Sequence, residues 1–184
     1  QKTFKDYSSK TRELIKDSKI EKFERRGKYI IFHLKKADKN SFLIIHLKMT
    51  GNFSILRNAD LNEIENIKHA RVVFSLKSGD ALIFKDIRKF GKMYFESKES
   101  ADDLEVTKKL GPDALLSLNL KEFENSISKK KTKIKPLLLN QEFVSGIGNI
   151  YADESLWSSK IHPLVPANKL SKKQIRILFN SIQK

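Results

Sequence analysis

Four residues, Leu110-Gly111-Pro112-Asp113, separate two segments of different periodicity. Before them, short runs rich in β-branched and aromatic residues follow one another closely. These are Tyr29 to Leu34 (YIIFHL), Phe42 to Met49 (FLIIHLKM), Asn52 to Leu56, Arg71 to Leu76 (RVVFSL), Ala81 to Phe84 (ALIF) and Lys92 to Phe95 (KMYF). Such runs read as strands. Lys39-Asn40 is expected to turn between the first two, and Lys77-Ser78-Gly79-Asp80 reads as a hairpin connection. Spacings this short require antiparallel pairing, because parallel strands need long crossovers. The expectation is a sandwich or barrel, preceded by a short helix near Lys10 to Lys16.

After the break the period becomes helical. Leu120, Phe123 and Ile127 fall at i, i+3 and i+7. Ile134, Leu137 and Leu138, extending toward Gln141, mark a second helix; Pro136 fits only in a first turn, so this helix starts close to Thr132. Ile150, Ala152, Leu156 and Trp157 mark a third. A fourth opens at Ser171 with Gln174 at capping-box spacing and Leu170 as a possible staple. It runs through Ile175, Leu178, Phe179 and Ile182 to Lys184 with no C-cap signal, which reads as truncation. The expected domains are therefore 1–110 and 111–184.

Charge narrows the choice of partner. The chain has 37 Lys and Arg against 22 Asp and Glu, a formal net charge of +15. That balance points to a polyanion, nucleic acid before an anionic membrane. A lysine-rich proteome would give the same excess. With no cysteine in the chain, disulfides and cysteine-based zinc sites are excluded within it. No apolar run approaches the ~18 residues that span a bilayer. The expectation is a soluble, cytoplasmic monomer with no membrane partner.

The basic residues and the helices meet at Asn140 to Trp157, NQEFVSGIGNIYADESLW. Gly146 or Gly148 can take φ > 0, and each lets an anion approach backbone N–H groups. Asn149 is expected to cap the following helix, whose positive dipole end favours an anion. Asp153 and Glu154 suit that helix start but would repel a phosphate if they faced it. Lys129, Lys130, Lys131, Lys133 and Lys135 supply cations just upstream. Together these make a clamp on a nucleic-acid backbone. An ordinary turn between helices beside a solvated lysine run accounts for them equally well.

KTKIKPLLLNQEFVSGIGNIYADESLWSSKIHP resembles the helix–two-turn–helix segment of the bacterial formamidopyrimidine-DNA glycosylases. RRGKY (Arg25 to Tyr29), IIHLKMTG (Ile44 to Gly51), KDIRKFGKMYF (Lys85 to Phe95) and LGPDAL (Leu110 to Leu115) match in the same order. Five ordered motifs cover nearly the whole chain. The wording GIGNIYADE is closer to this branch than to the endonuclease VIII branch.

The resemblance implies an α+β protein: an antiparallel β-sandwich, here incomplete, followed by a helical DNA-binding domain. It implies bacterial, nucleoid-associated removal of 8-oxoguanine and formamidopyrimidines from double-stranded DNA, then cleavage of the abasic site. A base inside a duplex must be flipped out for such chemistry, and the hole must be filled. Met49, Arg88 and Phe90 match the void-filling residues. A thioether and an aromatic ring can wedge into a stack, and Arg can pair with the orphaned base. Taken as bare residue types, Met49 and Phe90 would instead be core and Arg88 a surface cation.

By the same resemblance Lys28 lies near the catalytic centre, where it supports the chemistry, and Lys135 near the flipped nucleotide. Asn149, beside Gly148, holds backbone phosphate. Tyr151, Glu154 and Lys133 fall in the same segment, and His69 matches a lysine–histidine pair before a strand. Each has an ordinary reading as well: a strand-end lysine, a packed tyrosine, a dipole-compensating acid, a structural histidine. Departures occur at Lys48, where the family has Gly, at Ile87 and Lys89 in the segment that matches DPRRFG, and at Ala70-Arg71 in place of a second histidine.

The family nucleophile is an N-terminal proline followed by glutamate. A terminal amine with pKa near ~8 is partly neutral at pH 7 and can attack C1′ to give a Schiff base. Here the first residue is Gln1, and neither the Pro-Glu pair nor the four-cysteine zinc ribbon is present. The expectation is a fragment without its nucleophile, with structural zinc implied only for the absent segment. Two alternatives stand beside the enzyme: a non-catalytic damaged-DNA-binding module, and an RNA-binding or ribosome-associated protein that rests on charge and the turn alone.

Overall fold

The structure, a computed structural model, describes Thr3 and residues 8–184; Gln1 lies outside the described residues. The chain forms two compact units, one comprising residues 1–25 and 29–104, the other residues 26–28 and 105–184.

The first unit holds α1 (Ser9–Ile15), β1 (Lys19–Arg26, up to Arg25), β2 (Tyr29–Lys36), β3 (Lys39–His46), β4 (Asn52–Leu56), α2 (Leu61–Glu65), β5 (Ala70–Ser75), β6 (Ala81–Lys85) and β7 (Lys92–Glu96). One sheet has the order β1-β2-β3-β7 and the other β4-β6-β5. The β2–β3, β3–β7, β4–β6 and β5–β6 pairs are antiparallel. Phe32, Leu34, Leu43, Ile45 and Met93 of the first sheet pack with Phe84 of the second, and Phe53, Val72 and Leu82 border them. This is a sandwich core. The opposite face of the first sheet carries Ile31, Phe42 and Ile44, covered by Ala101 and Leu104. Burial on both faces explains why β2 and β3 are almost continuously apolar rather than alternating. Each such buried side chain contributes about 1.5–3 kcal/mol of transfer free energy.

One local expectation is corrected. Lys39 and Asn40 are strand residues, paired with Lys36 and Lys35, and the turn is Ala37-Asp38 with Ala37 at φ 51°. A turn at Lys39-Asn40 would have slipped the register by four residues and set Ile44 opposite Lys35 instead of Ile31. The charged strand β1 and the five-residue α2 carried no clear pattern in the sequence.

The second unit holds α3 (Leu120–Ser128), α4 (Ile134–Leu139), α5 (Asn149–Ser158) and α6 (Lys172–Ile182). Its core gathers Phe123, Ile127, Ile134, Leu137, Leu138, Val144, Ile147, Ala152, Leu156, Ile175, Leu178 and Ile182. Pro136 lies in the first turn of α4, which ends at Leu139, before Gln141. Ser171 and Gln174 form the reciprocal capping box of α6, and Leu170 is buried. Ile150 and Trp157 lie on α5 but do not join its core face; Trp157 is 84% exposed. Arg26–Lys28 belong to this unit. Gly27, at φ 55°, donates its N–H to Asp113 Oδ2 at 3.2 Å, and a Cβ there would stand 3.1 Å from that of Ser145. Asp113 Oδ1 accepts from the N–H groups of Leu115 and Leu116, so one carboxylate ties the LGPD segment together.

Candidate nucleic-acid interface

In the sandwich unit the decisive residue is Asp86, which is fully buried. Its carboxylate accepts from the Thr50 hydroxyl, from Gly91 N–H at 2.7 Å and from Arg88 N–H at 3.2 Å. Burial alone would push this carboxyl up; the hydrogen bonds from Thr50, Gly91, Arg88 and Lys89 outweigh it and hold the group below its ordinary range. Thr50 Oγ1 also accepts from Arg88 N–H at 3.2 Å. Asp86 thus fastens the turn after β3 to the loop between β6 and β7.

Those two loops carry Met49, Arg88 and Phe90. Met49 is 71% exposed and Phe90 42%, so neither is core. Arg88 Nη1 lies 3.3 Å from Met49 Sδ, and its guanidinium stands 5.0 Å from the centroid of the Phe90 ring. The three side chains form one exposed cluster with a stacked cation. Backbone geometry there is unusual for non-glycine residues: Lys48 and Lys89 both take φ 57° and His69 φ 65°. The carbonyl of His69 accepts the N–H of Asp86, while its side chain is exposed.

In the helical unit the turn before α5 is organised by Gln141. Its side-chain oxygen accepts from Gly146 N–H at 3.0 Å, and its amide donates to Leu139 O and Ile147 O. Gly146 takes φ 99°, where a Cβ would be strained. The N-cap of α5 is Gly148, not Asn149, and among the described residues no side chain caps the first-turn amides. Asn149 is instead the first helical residue and is exposed. A carboxamide at the cap would itself occupy those amides; glycine leaves them open to an outside acceptor. Lys28 Nζ stands 3.5 Å from the position a Gly148 Cβ would take. The open helix start therefore has an ammonium beside it.

Lys135, half-buried on α4, pairs with Asp153 of α5 at 2.7 Å. The acid that would repel a phosphate is thus engaged by one of the expected cations. Tyr151 and Glu154 are exposed on α5, as is Lys133 at the start of α4. Among the described residues no group of three or more His, Asp or Glu could hold a metal ion. Among the described residues no helix is long and apolar enough to cross a membrane.

Two family descriptions match this chain: the formamidopyrimidine-DNA glycosylase N-terminal domain over residues 1–93, and the H2TH domain of the same glycosylases over residues 110–184. The chain belongs to the formamidopyrimidine-DNA glycosylase family. It is 42% identical over 170 residues to the formamidopyrimidine-DNA glycosylase of Protochlamydia amoebophila, covering 92% of this chain and 58% of that protein. It is 36% identical over 184 residues to that of Ligilactobacillus salivarius, covering 100% and 64%. It thus spans about three-fifths of the length of the curated relatives it matches. Lactococcus lactis Fpg in complex with abasic-site DNA superposes with a TM-score of 0.80 at 35% identity, over 94% of this chain and 62% of that one. MutM in complex with DNA containing carbocyclic 8-oxo-G gives 0.82 at 35%, over 95% and 62%.

Asp86, Thr50, Gln141 and Asp113 were not singled out by sequence reasoning. Asp86, Gln141 and Asp113 do lie within the stretches KDIRKFG, NQEF and LGPDAL.

Proposed function

We propose that these residues are the DNA-gripping portion of a glycosylase that excises 8-oxoguanine and formamidopyrimidines from duplex DNA. The abasic site is then cleaved by β,δ-elimination through a Schiff base. The observation that carries this reading is the exposed Met49–Arg88–Phe90 cluster, pinned from below by buried Asp86. Exposed apolar side chains on braced loops suit insertion into a stack that has lost a base. Complexes of similar proteins with abasic-site, FAPY-dG and 8-oxo-G DNA support the same substrate class. The open amides at α5, with Lys28 and Asn149, suit a backbone phosphate, which fixes position without reading sequence.

The terminal-proline nucleophile implied by the family is not among these residues, whose first is Gln1. In this reading the residues of this chain supply the grip on the duplex, and the proline chemistry belongs to another segment of the family pattern. Structural zinc belongs, in this reading, to the zinc-ribbon segment of the family pattern. The test is a labelled duplex with one 8-oxoguanine, incubated with the chain and borohydride. Binding to an abasic-site duplex without cutting or a trapped adduct is the expected result. Cutting with an adduct would make another amine, Lys28 or the chain terminus, the nucleophile. Met49→Ala with Phe90→Ala should weaken abasic-site binding more than binding to intact duplex; equal losses would remove the wedge role.

A further inference from the structure

β5 and β6 are out of step at one place: Ala70 pairs with Lys85 and Val72 with Phe84, so Arg71 is the extra residue of a bulge. It follows His69 in a left-handed conformation at φ 65°. Bulges re-aim a side chain, and here the guanidinium turns toward the loop that carries the wedge. Arg71 Nε donates to the Asp86 carbonyl at 2.8 Å. Among the described residues this is the one hydrogen bond of its side chain, and no carboxylate pairs with it. Two Nη groups, four N–H donors, are thus left on a half-buried and already immobilised fork.

We infer that Arg71 is a further DNA-backbone contact, whose Nη pair receives a phosphate oxygen beside the Met49–Arg88–Phe90 wedge. This rests on the duplex-binding reading above. The geometry favours phosphate because a planar guanidinium held at Nε presents a bidentate face, and its ordering cost is already met by the fold. Arg71 occupies the place where the family pattern has a histidine.

The opposing possibility is that Arg71 only braces the Asp86 loop. Salt dependence separates the two. Each phosphate contact adds about 0.9 to the slope of log K against log salt concentration. Binding of the 184-residue chain to duplexes with and without a tetrahydrofuran abasic site would be measured across salt. Arg71→Gln and Arg71→Ala should lower the slope by about one and weaken both duplexes about tenfold near 0.1 M salt, while Arg71→Lys keeps the slope. An unchanged slope in Arg71→Gln, or a loss confined to the abasic-site duplex, would overturn the contact. Should Arg71→Ala fail to fold by circular dichroism, the Gln and Lys variants decide: equal slopes for both and wild type overturn it. Wild-type binding that does not respond to salt would overturn the duplex-binding function as well.

Discussion

The two candidate binding regions are built on the same plan with different chemistry. At the wedge, one buried side chain, Asp86, accepts from backbone amides and the Thr50 hydroxyl and so joins two loops. At the glycine turn, one side chain, Gln141, accepts from Gly146 and donates to two carbonyls. The first organiser carries a charge and the second does not. A buried carboxylate makes stronger hydrogen bonds but leaves more behind when it is lost. The wedge is therefore the more firmly held region and the more brittle one.

Asp86→Ala is the sharpest way to break the parallel. It leaves the Gly91 amide and the Thr50 hydroxyl without their acceptor and removes one of the two acceptors of the Arg88 amide, at an expected cost of about 3 kcal/mol. Preference for an abasic-site duplex should vanish, because Met49 and Phe90 lose their fixed spacing. Urea denaturation followed by circular dichroism reads the stability, and competition binding reads the preference. Retained preference would mean the wedge loops hold themselves.

Gln141→Ala removes neutral hydrogen bonds only, and about 2 kcal/mol is expected. Its binding phenotype should differ in kind. Intact and abasic-site duplexes should weaken together, since the turn is assigned to phosphate rather than to the missing base. A selective loss for one duplex would erase the distinction between the regions.

Much of this arrangement was legible in the sequence, and the reasons for the gaps are physical. β2 and β3 announced themselves because burial on both faces demands continuous β-branched and aromatic runs. The edge strand β1, KIEKFERR, did not, because an edge is kept soluble by charge and loses the apolar signal. Exposure of Met49, Phe90, Ile150 and Trp157 contradicts what their residue types suggest; for the first two only the family motif pointed outward. The organisers were hidden for another reason. Thr50 and Asp86 lie 36 positions apart, and no local pattern encodes such a bond. Asn149 looked like the cap because its side chain is suited to it, yet the chain enters α5 one residue earlier, at Gly148.

Acid should separate the regions more gently than mutation. The Asp86 carboxyl is held below its ordinary value of 3.8 in the folded protein. A group depressed in this way contributes stability that is fully present above pH 3.8 and is lost as pH falls through its folded value. Gln141 does not titrate. Hydrogen exchange at the Gly91 amide, corrected for intrinsic rate, should lose protection below about pH 4, while Gly146 follows only the global stability. Parallel loss at both amides would mean the carboxylate is not what holds the wedge.

The smallest effect is expected at Lys48, and it tests whether the wedge carries backbone strain. Lys48 takes φ 57° where the family pattern has glycine, and its N–H is held by His46 Nδ1 at 3.0 Å. A left-handed conformation costs a non-glycine residue about 1–2 kcal/mol. Glycine removes that cost but gives the unfolded chain more freedom, worth about 0.5–1 kcal/mol in the other direction. Lys48→Gly should therefore raise stability by only about 0.5 kcal/mol, while removing one cation from the rim of the wedge. If stability falls instead, the lysine side chain holds this turn, and strain is not what distinguishes it from the glycine turn of the helical unit.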